Sequence, residues 1–454
     1  MVILGAPCCG VLPFASMSLR SKTLTFSPVL NGGDSSDHRR GQGLGVLFPV
    51  FAVVLILAFF TRESPTVTTA KLYVATAVVL VLLLIFCTTA LRLPDAPRPL
   101  FWLAVFAFVC LLNFLVASLQ GMAAVAWARH AFIIICLPGF AYGAYLLNDR
   151  AARGLYWVIA ALCGGITLYY LSFWLGTQSF DAVRAQYALA FWTLTGGVFA
   201  SVIASGLLYP FAMRSGRRWM VPALVITLTG IAATFSRTFW IMTPAAFVPA
   251  TIPMARRGML KGARLVFLAA LASVLAAGVG GVLFSALSTR VDTAGLSGTQ
   301  RLYESQAILD TMRADPTTFV AGAGFGAVYQ ETAVDTSWLP GLGTNTRDFS
   351  HDFYLQLLWN TGVLGLAAWL AALVSWFRLT VRSRSPHVMG CFAAVLAISL
   401  GSFTYHPFGY LGWDVMIGLL LGIGCRLAWS GEVCPPPTAR AAALTAGRTR
   451  TSPG

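Results

Sequence analysis

Long apolar runs alternate along the chain with short polar or Gly/Pro-bearing breaks, at about 44–60, 71–91, 99–118, 128–147, 154–176, 188–212, 219–235, 238–254, 264–287, 353–377, 388–405 and 411–429. Each is close to the ~20 residues an α-helix needs to cross a hydrocarbon core. The pattern predicts an all-α polytopic membrane bundle of about twelve transmembrane helices occupying residues 44–429. The preceding 1–43 are polar and rich in Gly and Ser after a short apolar start, with no cleavage site joined to a clear apolar region. They are expected to be a cytoplasmic N-terminal segment, with Met17 an alternative start. The Pro/Ala/Thr-rich stretch 430–454 is expected to be a disordered cytoplasmic tail.

One break is unlike the others. Residues 288–352, between the ninth and tenth spans, hold eight of the sixteen acidic residues of the chain. A long connection of this kind is usually functional. Within it, Thr299 to Asp315 reads as a helix lying on the bundle, with Arg301, Ser305, Ile308 and Met312 on the face turned to the membrane side. Glu304, Gln306, Asp310 and Arg313 are expected elsewhere on that helix.

Composition fixes the class. The 454 residues are 57% hydrophobic and 10% charged, with a mean hydropathy of +0.75, whereas soluble domains carry about 25% charged residues. A soluble enzyme is excluded. The net charge of +15 points to nucleic acid in a soluble chain, but here the placement of the cations decides. With the N-terminus inside, nine of the 31 Lys and Arg fall outside: Arg62, Lys71, Arg129, Arg184, Arg237, Arg290, Arg301, Arg313 and Arg347. That bias favours two cytoplasmic termini and an even number of spans. The nine cysteines lack ligand spacing. Cys87, Cys110, Cys136, Cys163, Cys391 and Cys425 lie in apolar runs and read as small core or lipid-facing residues.

Familiar soluble-enzyme motifs fail. Gly322-Ala323-Gly324-Phe325-Gly326 has no following Lys-Ser/Thr and no preceding strand, so it is not a nucleotide loop; it reads as a tight turn or as a close backbone approach to a ligand. The five histidines are scattered and form no zinc motif. Arg184, Arg237 and Arg301 stand outside against the general bias. Singly each reads as a snorkelling or headgroup-pairing residue; as a set around one large loop they suggest an anion site, and a guanidinium fork suits a diphosphate. His351 has the chemistry of a general base at neutral pH. Asp352 beside it is a candidate to tune it, although consecutive helical residues point about 100° apart. Arg129, His130, His406 and Asp414 read as interface anchors or cavity-lining groups.

Three of these stretches, in order, resemble the O-antigen ligase and polymerase superfamily of bacterial polysaccharide assembly. The first is Ser236-Arg237-Thr238 ahead of a short apolar span. The second is Arg301, its helix, Pro316 and the Gly322/Gly324/Gly326 turn ending in Tyr329. The third is Ser350-His351-Asp352-Phe353-Tyr354-Leu355 running into Trp359-Asn360-Thr361-Gly362-Val363-Leu364-Gly365-Leu366. They span about 230–377; Asp352 departs from the family's common Asn. The resemblance implies a GT-C-like, metal-independent glycosyltransferase of the bacterial inner membrane that needs no cofactor. Its donor would be a glycan on undecaprenyl diphosphate, and its acceptor another glycan or lipid A-core. By the same analogy Arg237 and Arg301, with Arg184, would hold the diphosphate, Gly322, Gly324, Gly326 and Tyr329 would form a ligand loop, and His351 would deprotonate the acceptor hydroxyl. Ligase, polymerase and protein oligosaccharyltransferase remain open as acceptor choices, as do unidentified partners in an assembly machinery.

A transporter or flippase of lipid-linked glycans is the reading from another class. Two related halves, a central cytoplasmic loop and intramembrane acids would favour it. The chain has its longest loop outside and few acids in its spans.

Overall fold

The computed structural model describes residues 97–119, 121, 124–177, 191–214, 219–233, 237–256, 301–331, 345–347, 350–403 and 411–430, all within the unit Leu44–Gly454. In chain order they form α1 (Arg98–Leu119), α2 (Ala124–Tyr145), α3 (Asp149–Thr177), α4 (Phe191–Met213), α5 (Met220–Ala233) and α6 (Arg237–Arg256). Next come α7 (301–314), α8 (Pro316–Ala321), strands β1 (Tyr329–Glu331) and β2 (Asn345–Arg347), then α9 (Phe353–Thr380), α10 (Pro386–Gly401) and α11 (Leu411–Trp429). Within the described residues, each apolar run from 99–118 to 238–254 and from 353–377 to 411–429 centres on a helix. Those at 44–60, 71–91 and 264–287 lie outside the described residues.

Four of the described helices are long and apolar enough to cross a membrane, among them Arg98–Leu119 and Phe353–Thr380, and several others are shorter and apolar. The chain is a polytopic, mostly helical membrane protein. Element ends differ from the hydropathy reading where a polar cap decides them. α3 starts at Asp149 rather than near 154, because Asn148 Oδ1 accepts the N–H of Ala151 at 2.8 Å and satisfies a donor of the first turn.

Helix pairing sets the core. α2 packs on α11, α4 on α3, α5 and α10, α1 on α9, and α6 on α10. The α2–α11 approach is so close that a Cβ at Gly422 would sit 2.0 Å from the carbonyl oxygen of Ala141, the small-residue contact typical of membrane helices. Trp369 and Trp376 are fully buried, and the indole of Trp376 donates to the carbonyl of Leu421 at 2.8 Å. Cys110, Cys136, Cys163, Cys391 and Cys425 are buried thiols with no disulfide.

Two contacts mark opposite ends of the bundle. At one, Arg426 Nε reaches Asp149 Oδ1 at 2.8 Å, joining the end of α11 to the start of α3. At the other, the N–H of Phe353 donates to the carbonyl of Ser402 at 3.0 Å, joining the start of α9 to the end of α10. These pairings agree with alternating helix directions across α9, α10 and α11.

The segment between α6 and α9 departs from the all-α expectation at one place. β1 and β2 form a small antiparallel ribbon, with Tyr329 opposite Arg347 and Glu331 opposite Asn345. Three residues per strand are too few to display a period of two in the sequence. The break between α7 and α8 is a cap: Asp315 Oδ1 accepts the Thr317 N–H at 3.0 Å and its hydroxyl at 2.7 Å, with Pro316 in the first turn.

Candidate functional site

α7 turns Ile308 and Met312 inward as expected, but the buried stripe continues through Glu304 rather than through Arg301 and Ser305. Glu304, Ile308 and Met312 are buried at i, i+4 and i+8, while Arg301 and Ser305 flank them half-buried. Ile308 and Met312 pack with Ala323, Ala327, Tyr329 and Trp359. Glu304, expected away from this face, is instead 1% exposed. An acid is ordinarily assigned to solvent even in line with an apolar stripe; what holds it inside is a partner distant in sequence.

That partner is His351. Its Nδ1 lies 2.9 Å from Glu304 Oε1 and 3.0 Å from Oε2, and its backbone N–H donates to Oε2 at 3.3 Å. A carboxylate accepts and does not donate, so Nδ1 carries the ring proton. The imidazole stays 37% exposed while the carboxylate under it is sealed. Asp352 does not take this role: it caps α9, Oδ1 accepting the Leu355 N–H at 3.1 Å. Burial lifts the Asp352 carboxyl above the ordinary range, and the Leu355 and Tyr354 N–H groups pull it back.

Beneath the dyad a polar string runs into α9. The N–H of Ser350 donates to Gln356 Oε1, and Gln356 Nε2 donates to Asn360 Oδ1 at 3.0 Å. Asn113 of α1 donates from Nδ2 to the carbonyl of Asn360 at 2.7 Å and to that of Ala321 at 3.2 Å, and accepts the Phe325 N–H at 2.9 Å. One buried amide thus ties α1, α9 and the glycine turn together.

α9 bends at Gly362, whose φ of 66° and ψ of −171° are not helical. The bend frees backbone carbonyls, and the glycine turn fills the gap. Ala323 N–H donates to Trp359 O at 2.7 Å and Gly324 N–H to Asn360 O at 3.1 Å. A Cβ at Gly322 would lie 2.2 Å from Asn360 O, and one at Gly362 would lie 2.2 Å from Val320 O. Both have positive φ, so only glycine fits without strain. The close approach made by Gly322 and Gly324 is therefore to the protein's own backbone and to α1, where a Cβ on Gly324 would meet Ala117 at 3.1 Å. Gly326 shares the positive φ of that turn. Tyr329 is buried, its ring 5.8 Å from that of Trp359.

The remaining expected residues divide. Arg301 sits one turn before Glu304 on α7, so helical spacing puts the two on adjoining positions of one face. Arg237 opens α6. Phe239, two residues on, lies against Gly401, and the adjacent Ser402 receives the N–H of Phe353; the start of α6 is therefore at the same end of the bundle as His351. Arg184 and His406 lie outside the described residues, as do the side chains of Arg129, His130 and Arg237. Asp414, expected as an interface anchor or cavity group, is fully buried in α11 with both carboxyl oxygens lacking a hydrogen bond among the described residues. His387 packs edge-on against Tyr156, Trp157 and Phe211. Among the described residues no group of three or more His, Cys, Asp or Glu is placed to hold a metal ion.

Comparison with known proteins gives one family. Residues 222–370 match the family described as O-antigen ligase, a stretch that runs from α5 through the glycine turn and His351 into α9. This partial match supports kinship with the O-antigen ligase and polymerase superfamily and a membrane enzyme of ligase or polymerase type. No curated protein matches the chain significantly.

Proposed function

We propose that the chain is a metal-independent glycosyltransferase that moves a glycan from undecaprenyl diphosphate to an acceptor hydroxyl at the periplasmic face. The acceptor is lipid A-core in a ligase or a growing glycan in a polymerase. In this reading about twelve spans form a GT-C-like bundle in the inner membrane with both termini cytoplasmic. The observation that carries it is the His351 imidazole, half-exposed and held on Nδ1 by the same helix that bears Arg301.

The chemistry follows from those placements. The acceptor O–H gives its proton to His351 Nε2 as its oxygen attacks the anomeric carbon of the donor. The bond from that carbon to the phosphate oxygen breaks, and its electron pair leaves on the diphosphate. Arg301, Arg237 and Arg184 stabilise the charge that develops there, which preorganised guanidinium groups do best in a poorly hydrated site. The half-exposed imidazolium then returns its proton to water. The lipid diphosphate is already an activated leaving group, so no nucleotide is required.

The test is glycan transfer in a strain lacking the native copy, complemented with variants. His351→Ala abolishes transfer while donor binding and membrane abundance are retained; unimpaired transfer removes His351 from the chemistry. Arg301→Lys loses most activity, because a point charge does not replace a bidentate fork. Full activity with Lys would reduce that role to charge alone. Chelators leave the rate unchanged. Uncapped core with long glycans still on the lipid carrier identifies a ligase, and core capped by single repeats a polymerase.

A further inference from the structure

We propose that Glu304 is the positioning residue of the site: a buried carboxylate that fixes His351 in the Nδ1–H tautomer and stabilises the imidazolium formed during transfer. This rests on His351 acting as the base.

Three observations converge. The carboxyl takes both the ring N–H and the backbone N–H of one residue, at 2.9 to 3.3 Å, so it sets where the His351 backbone stands as well as the plane of its ring. Glu304 is 1% exposed while the imidazole it holds is 37% exposed. A buried carboxylate is unfavourable unless paired and hydrogen-bonded, and a neutral side chain would suffice merely to pin α7 to α9. Finally, Asp352, the acid adjacent in sequence, is committed to the α9 cap, leaving the long-range partner to orient the ring.

Geometry then dictates the role. With Nδ1 donating to Glu304, Nε2 is the ring nitrogen that takes up a proton in this tautomer, and the exposed part of the imidazole is where an acceptor hydroxyl can approach. When Nε2 takes the acceptor proton, the ring becomes a cation whose Nδ1–H still donates to Glu304. Glu304 keeps its charge throughout and takes no proton, so the proton and electron balance of the transfer is unchanged. An orienting acid of this kind acts through tautomer and imidazolium stabilisation. Arg301, one turn away, places the cation for the leaving group on the same rigid helix, so a single element registers both ends of the reacting bond.

The test has two arms. Histidine ring 15N NMR of the full chain in detergent, with the His351 signals identified by their loss in His351→Ala, should show protonated Nδ1 and unprotonated Nε2 at neutral to alkaline pH. In membrane vesicles, the rate of glycan release from the lipid diphosphate should fall at least ~100-fold in Glu304→Gln and recover in part in Glu304→Asp, which restores the carboxylate. An Nε2–H tautomer in the unaltered protein overturns the proposal whether or not the variants fold. So does full activity of Glu304→Gln when His351→Ala is inactive. Unimpaired transfer by His351→Ala would instead overturn the underlying assignment of the base, a result distinguishable from both.

Discussion

The α2–α11 interface and the seam between the glycine-turn segment and α9 are both tightly buried, but they are held by different means. α2 and α11 meet through small residues and apolar side chains, with Gly422 against the Ala141 carbonyl. Any pair of apolar helices with a smooth stripe can pack this way, and lipid offers no strong preference between partners. The seam depends on directional contacts. Asn113, Gln356, Asn360, Glu304 and the glycine turn each need a named partner at a set distance. Apolar packing makes the bundle; hydrogen bonds that tolerate no substitute fix the loop over one end of it. His351, the proposed base, sits on the second kind of contact.

Substitutions separate the two regions. The largest effect is expected from Gly422→Leu, whose first added atom would already lie 2.0 Å from a backbone oxygen; the protein should fail to accumulate as a folded species, read as loss of a monodisperse detergent peak. Gly362→Ala should differ in kind. Its Cβ meets the Val320 carbonyl at 2.2 Å at a φ of 66°, strain of about 1–3 kcal/mol. The monodisperse peak should survive while transfer falls by at least ~10-fold. If both variants behave alike, the distinction between bundle and seam is lost.

Asn113→Leu comes next. It removes three hydrogen bonds and takes away the acceptor of the buried Phe325 N–H, while the Asn360 carbonyl keeps the Gly324 N–H, costing about 1–3 kcal/mol. The loss should be confined to the seam, seen as faster amide exchange at 321–325 with α2 and α11 unaffected. Uniform acceleration would mean that α1 holds the whole bundle through this residue.

The smallest effect concerns Asp315. Hydroxyl bonds from Thr318 and Thr317, with the Thr317 N–H, hold its carboxyl below the ordinary carboxylate range. A group depressed in the folded state stabilises above its unfolded value, and that contribution disappears as pH falls through the folded value. Protection of the α8 amides should therefore be constant near neutrality and decline in acid; in Asp315→Ala it should be lower and insensitive to pH in that range. The group is fully exposed, so α9 should not respond.

Much of the bundle could be read before any coordinates. Runs such as 99–118 and 411–429 are apolar on every face, and a membrane helix needs little more than such a run to be recognised. The order of Arg237, Arg301 and His351, and the glycine turn, could also be read, because each depends on a local residue type. The structure adds why the glycines are there: Gly322 and Gly324 close onto the bend at Gly362, a contact between segments almost forty residues apart in the chain. It also revises the reading of α7: Ile308 and Met312 are buried as expected, but the stripe continues through Glu304, with Arg301 and Ser305 half-buried beside it.

What the sequence by itself determined was the solvent: hydropathy is summed over a local window, and charge bias acts loop by loop, so neither requires knowing what touches what. What only the tertiary structure decided was the company each polar group keeps. Glu304 is buried because His351, 47 positions later, supplies two N–H groups to it, and Asn113 is buried because α9 bends and the glycine turn enters. A side chain's desolvation is offset by partners brought from elsewhere in the chain, and that balance has no local signature.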